Sequence, residues 1–284
     1  VVDESVAEQR VALVTGATSG IGQEIARRLA AGGFRVFGST RQAGGAVQAG
    51  VEEVVMDVDD DTSVREGVAA VVRAAGPVDV LVNNAGYLCA GAVEEVSLAD
   101  ARAQFETNYF GVVRATLAVL PSMRERRSGH VISLSSLAGL VPLPFWGHYD
   151  ASKFAVEGLM EALRHEVRPF GVQVALVEPG NIRTPFYARP QTAGIPAYAG
   201  ARGRFDAAMD EFGRKAPGPD VVGRKVLAIA LDPHPALHNK VTKEAKQFTL
   251  LKRLLPPRAL EAGVRRGFKL EGTDDPLTPQ GSLA

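Results

Sequence analysis

The sequence predicts a single-domain α/β fold, a doubly wound parallel sheet with helices on both faces, on three observations. Apolar strand-like runs alternate with amphipathic helical stretches along the chain, the rhythm of βαβ units in a parallel sheet. A glycine-rich turn, TGATSGIG at 15–22, stands where the first such run passes into the first helical stretch. A chain of 284 residues, 46% hydrophobic and 23% charged, can bury one large core, and no internal repeat or Gly/Ser linker divides it.

The first strand is predicted at 11–15 from Val11, Ala12, Leu13 and Val14, and the first helix at 21–31 from Ile21, Ile25, Ala26 and Leu29 at helical spacing. Strands follow at 34–39, 51–56, 80–83, 130–134 and 172–177, with helices at 62–75, at 99–127 with a possible break, and at 149–168. The last helix carries Phe154, Val156, Leu159, Leu163 and Val167 on its apolar side. Residues 181–219 are rich in Gly and Pro, which predicts a mobile lid. The domain is read as 11–270, between a polar N-terminal tail at 1–10 and a polar, Pro-containing tail at 271–284.

The glycine turn has a physical use. Gly16, Gly20 and Gly22 permit a tight turn and close approach of backbone to a pyrophosphate, while the free N–H groups and dipole at the helix start attract its charge. A second motif, YDASK at 149–153, puts Tyr149 and Lys153 four residues apart on one helix face. A tyrosine of ordinary pKa is a poor acid–base group near neutrality unless a neighbouring cation stabilises its phenolate, and Lys153 can supply that charge. Either motif alone describes many ordinary turns and surface pairs.

With NNAG at 83–86 after an apolar run, Asn108 in ETNYFG, ISLSS ending at Ser136, and Pro179–Gly180 added in order, the chain resembles the short-chain dehydrogenase/reductase family from about Val11 to Val241. The resemblance implies a Rossmann-like sheet and a catalytic set of Asn108, Ser136, Tyr149 and Lys153. Ser136 orients the substrate oxygen, being thirteen positions before Tyr149 as in the family pattern, with Ser135 the runner-up. Tyr149 gives or takes the proton, Lys153 lowers its pKa and grips the nicotinamide ribose, and Asn108 holds the lysine and a relay water. Cofactor contacts are implied for Gly16, Thr18, Ser19, Gly20, Ile21, Asp57 (adenine), Asn84 (adenosine side), Tyr149, Lys153, Pro179, Gly180 and Thr184.

Cofactor choice rests on the end of the second strand. Where NAD-preferring relatives carry an acid, this chain has Thr40 and then Arg41, and a guanidinium suits a 2′-phosphate, so NADP is expected. The apolar run Leu143, Pro144, Phe145 and Trp146 walls the reaction centre, and Phe186 and Tyr187 are placed to close it from the lid. With Ser136, Trp146, Tyr149 and Phe186 as substrate contacts, the expected substrate is a hydrophobic ketone or aldehyde, or its alcohol. The second half of the chain resembles the branch holding 17β-hydroxysteroid and retinol dehydrogenases. The resemblance also implies a homodimer or homotetramer through the helices bearing Asn108 and Tyr149.

Other function classes find less support. Lys and Arg number 32 against 32 Asp and Glu, so no global field favours nucleic acid. The five histidines form no metal motif, so no metal is expected, and His148 is read as a rim residue. The sole cysteine, Cys89, excludes an intrachain disulfide and is read as a packing residue near the cofactor. No signal-peptide pattern or membrane-length apolar run occurs, and a cytoplasmic location is expected. The C-terminal leucines interleaved with bases are compatible with an amphipathic helix on a membrane, but the neutral overall charge favours packing against the domain or a partner subunit. Two functions of different class remain, an active oxidoreductase and a catalytically idle NADP-binding redox sensor; the complete Asn108, Ser136, Tyr149, Lys153 set favours the first.

Overall fold

The computed structural model of the chain describes residues 9–45 and 47–184, the backbone of 188–189, and residues 194–270. Phe186, Tyr187 and nearly all of both expected tails lie outside the described residues. In chain order the elements are β1 (Val11–Val14), α1 (Gly20–Ala31), β2 (Arg35–Thr40), β3 (Val51–Val55), α2 (Asp61–Ala75), β4 (Val80–Asn83) and β5 (Leu88–Cys89). Next come α3 (Leu98–Phe105), a π-helical turn (Glu106–Phe110), α4 (Gly111–Arg126), β6 (Gly129–Leu134), a 3₁₀ turn (Leu137–Gly139), α5 (Gly147–Val167) and β7 (Val172–Glu178). The chain continues with β8 (Ala188–Arg189), α6 (Ala199–Lys215), α7 (Asp220–Leu231), β9 (His238–Lys240), α8 (Lys243–Leu254) and α9 (Pro257–Gly267).

Seven strands form one parallel sheet in the order β3-β2-β1-β4-β6-β7-β9. The strand order reverses between β1 and β4, the crevice where open α/β sheets bind ligands beyond their strand C-termini. Alternate side chains of the central strands serve two cores. Val11, Leu13, Leu81, Val131 and Leu176 pack with Val68, Val119, Val156 and Met160 from α2, α4 and α5. Ala12, Val14, Val82, Ile132 and Val177 pack with Ile25 and Leu29 of α1 and Val226 and Ile229 of α7. Burial on both faces explains why these strands read as nearly continuous apolar runs.

The six expected strands and four helices are present, shifted by a residue or two at their ends. The expected break in the long helix is the π-helical turn, which contains Asn108. Within the expected lid, α6 is an ordered helix whose Phe205 is fully buried. Three of the C-terminal leucines are turned away from the domain. α8 docks through buried Ala245, leaving Leu250, Leu251 and Leu254 exposed on its far face, so they do not pack on the domain. No described helix is long and apolar enough to cross a membrane.

Candidate active site

A cavity of ≈ 410 Å³ runs over the C-terminal ends of β1, β2, β4 and β6 and joins both sequence motifs. Gly16, Thr18, Ser19, Gly20 and Ile21 line one end, with Arg41, Asp57 and Asn84; Ser136, Tyr149 and Lys153 line the other, with Trp146, Pro179, Gly180 and Thr184 nearby. Asn108 is not among the lining residues.

The turn between β1 and α1 is built for close approach. Gly16 and Gly20 have φ of 66° and 56°, in the left-handed region that side chains other than glycine's rarely adopt. A Cβ on Gly22 would come within 2.2 Å of the Gly16 carbonyl oxygen and 2.3 Å of Asn84 Nδ2, so only glycine fits. Asn84 Nδ2 donates to the Thr15 and Gly16 carbonyls at 2.9 and 3.0 Å, which holds the turn, and the residue lines the cavity beside it. Ser19 begins α1 without a side-chain cap, and the first turn holds no acid, so the helix N-terminus faces the cavity unneutralised. Exposed Arg41 is the first residue after β2, and the nearby acid Glu53 is engaged by the Thr40 hydroxyl and the Gly44 and Gly45 amides. These features suit a dinucleotide carrying a 2′-phosphate.

At the other end the Ser136 hydroxyl faces the Tyr149 phenol and accepts from Ala138 N at 3.1 Å, capping the 3₁₀ turn. Ser135 faces Glu157, and Ser133 is buried, accepting from Asn83 and donating to Met160. The geometry therefore distinguishes Ser136 from its neighbours as the partner of Tyr149. Trp146 meets the Tyr149 ring edge-on at 5.9 Å between centroids and Phe205 at the same distance.

Burial pushes Tyr149 up to about 12; Ser136 opposes the rise and Asp150 adds to it. The Lys153 ammonium donates to the Leu134 carbonyl at 2.8 Å and lies 5.8 Å from the Tyr149 ring centroid. Burial also pulls Lys153 down to about 8, with Glu157 opposing. Asn108 does not bond the lysine directly. The π-helical turn aims its amide at the β4–β5 loop, where Oδ1 accepts from Tyr87 N (3.0 Å) and Nδ2 donates to Tyr87 O (3.0 Å) and Ser152 Oγ (3.1 Å). Its place in a π-helical turn is one such turns often occupy at functional sites.

Several contributing residues have no signal in the sequence pattern. Asp150, buried beside Tyr149, accepts from Leu143 N at 2.8 Å and pins the apolar wall; burial pushes its carboxyl up to about 8. Phe145 holds φ of 62°, and its carbonyl accepts from Gly91 N at 2.6 Å. Phe205 of α6 and Phe268 beyond α9 complete the wall with Leu143, Phe145 and Trp146. Below Lys153, burial raises Glu157 to about 8 and also raises Glu178, whose Oε1 lies 2.7 Å from His238 Nδ1. Glu157 and Glu161 of α5 and His238 of β9, which pairs with β7, offer ligand atoms within 4.8 Å of one another. His238 also lies 3.6 Å from Glu157 and Glu161. Cys89 packs with Val96 and Ala101, away from the cavity lining, and His148 bonds Val93 O at 3.2 Å near the rim.

Residues 10–193 match the family model described as short chain dehydrogenase. The chain belongs to the short-chain dehydrogenase family. It is 36% identical over 238 residues to a 3-ketodihydrosphingosine reductase of Bacteroides thetaiotaomicron, covering 82% of this chain and 88% of that one. It is 33% identical to an NADPH-dependent 3-dehydrocapnine reductase of Ornithobacterium rhinotracheale over 89% of this chain and 95% of the relative. Retinol dehydrogenase 8 of Bos taurus is 40% identical over 62% of this chain and 60% of its own length, which agrees with the resemblance to retinol dehydrogenases. Among solved structures, a short-chain dehydrogenase from Streptomyces avermitilis superposes with a TM-score of 0.77 at 32% identity, covering 92% of this chain and 97% of that one.

Proposed function

We propose that this short-chain dehydrogenase is an NADPH-dependent reductase of a bulky hydrophobic ketone or aldehyde, with Tyr149 as the proton donor. The observation that carries the reading is the Ser136–Tyr149 hydroxyl pair lying in the same cavity as the glycine turn, under an aromatic wall. Bound NADPH supplies the hydride to the carbonyl carbon. The chain's own residues then do the following. The α1 N-terminus and the glycine turn take the pyrophosphate, and Arg41 takes the 2′-phosphate. Ser136 holds the carbonyl oxygen by a hydrogen bond while Tyr149 donates its proton to the same oxygen. Lys153, once protonated and drawn toward the ring, offsets the charge left on the phenolate. Asn108, through Tyr87 and Ser152, fixes the second turn of α5 against the β4–β5 loop.

Burial raises the Tyr149 phenol above its ordinary value, which keeps it in the protonated, proton-donating form. The apolar wall of Leu143 and Trp146, backed by Phe205, suits a lipophilic substrate, as do the relatives named for 3-ketodihydrosphingosine and 3-dehydrocapnine. The idle-sensor reading is disfavoured by Ser136, Tyr149 and Lys153 lining one cavity together. Turnover of NADPH with matched hydrophobic and small polar carbonyls tests the assignment: preference for the hydrophobic set supports it, and preference for the polar set, or none with either, overturns it. Exposed Phe110, Leu117 and Phe154 on the π-helical turn, α4 and α5 support a two-fold homodimer through that face. Light scattering that finds only monomer at micromolar concentration would exclude it.

A further inference from the structure

Helix α8 meets the rest of the domain by one face. Ala245 is fully buried there, and at the same azimuth Lys252 donates to the Leu140 carbonyl and lies 4.9 Å from the Phe154 ring centroid. At 3.6 residues per turn the opposite face carries Leu250, Leu251 and Leu254, and Leu255 follows at the helix end. They are 56%, 42%, 68% and 38% exposed. A helix at a protein surface ordinarily turns polar residues outward, and clustered exposed leucines mark a surface that something covers.

The charge around this stripe identifies the occupant. Residues 243–270 hold eight Lys and Arg against two Glu, a surplus of six positive charges in a chain whose net charge is zero. Lys243, Lys246 and Arg253 flank the leucines on α8, all exposed. A second copy docked isologously on this face would set one basic surplus against another, and like charges juxtaposed oppose such a contact. An anionic bilayer complements both features at once, apolar side chains for the acyl boundary and bases for the headgroups. The placement fits as well. α8 borders the 3₁₀ turn after Ser136, and Val264 and Phe268, in and just after α9, pack into the aromatic wall, so the hairpin that closes the substrate end also turns its leucines outward.

We propose that the α8–α9 hairpin seats this enzyme on the surface of an anionic lipid bilayer. Delivery of a lipophilic carbonyl from that bilayer to the cavity rests on the reductase reading; the docking itself does not. The test is flotation of the full chain with phosphatidylcholine vesicles, with and without phosphatidylglycerol, at low and high salt. Binding is expected to be at least about tenfold stronger on the anionic vesicles and to fall sharply at high salt. The triple variant Leu250→Ser, Leu251→Ser, Leu254→Ser and the double variant Lys243→Glu, Arg253→Glu should each cut partitioning about tenfold or more, with unchanged melting temperature and unchanged turnover of a water-soluble ketone. Absence of binding to anionic vesicles, equal binding to neutral ones, or a dimer lost in the triple variant without lipid binding would overturn the proposal. Loss of turnover with retained flotation would count against the reductase reading alone.

Discussion

Asp150 offers a perturbation whose size follows from the structure. Its Oδ2 accepts from Leu143 N at 2.8 Å, and Leu143 O in turn accepts from Trp146 N at 3.3 Å, so one carboxyl holds the loop that walls the cavity. The residue is 3% exposed, its Oδ1 has no partner among the described residues, and burial pushes its pKa to about 8. The folded state therefore retains a proton that the unfolded chain, with an ordinary Asp pKa of about 3.9, releases. The associated stability is full below about pH 4 and is lost as pH rises through about 8, on the order of 2–5 kcal/mol after discounting for partial solvation. Asp150→Asn keeps the acceptor and removes the titration, so its stability relative to the parent should improve steadily between pH 5 and 8. Asp150→Ala leaves the Leu143 amide unpaired and should cost about 1–3 kcal/mol at any pH. It should also lower kcat/KM for hydrophobic ketones as the wall loosens. Urea unfolding across pH 5–9 reads both effects. A parent–Asn difference that does not change with pH, or an Ala variant as stable as the parent, would refute the reasoning.

Other outcomes are equally definite. Arg41→Ala should weaken NADPH binding about ten- to a hundredfold and leave NADH unchanged, read by fluorescence titration; equal loss for both would remove Arg41 from the 2′-phosphate. Gly22→Ala should abolish nucleotide binding, because its methyl group would stand 2.2 Å from the Gly16 carbonyl oxygen; ordinary NADPH affinity in that variant would contradict the packing of the turn. Lys153, pulled down to about 8 by burial, should impose a limb in which the reduction rate falls as pH rises through that value, and a rate flat to pH 10 would deny it a charged role.

What the sequence disclosed and what it withheld divide along range of interaction. The glycine turn and the Tyr149–Lys153 pair are local, because turn and helix geometry convert their spacing directly into position. The sheet was legible because buried parallel strands are continuous apolar runs. β9 was not, since its three residues His238, Asn239 and Lys240 are polar and pair only at a sheet edge. Phe205 and Phe268 reach the wall from helices distant in sequence, and no periodicity links them to Trp146. The Lys153 ammonium was expected beside the phenol from spacing alone; its actual direction depends on the Leu134 carbonyl, which spacing cannot reveal. The C-terminal leucines show the same limit, for their apolar repeat fits burial in a core as well as an exposed stripe.

The most direct test is single-turnover reduction of a hydrophobic ketone by Tyr149→Phe with NADPH bound. Removing the hydroxyl deletes the proton donor and leaves the ring against Trp146, so melting temperature and NADPH affinity should match the parent while the rate falls by at least about a hundredfold. A variant that reduces the ketone at near the parental rate would contradict the assignment of Tyr149.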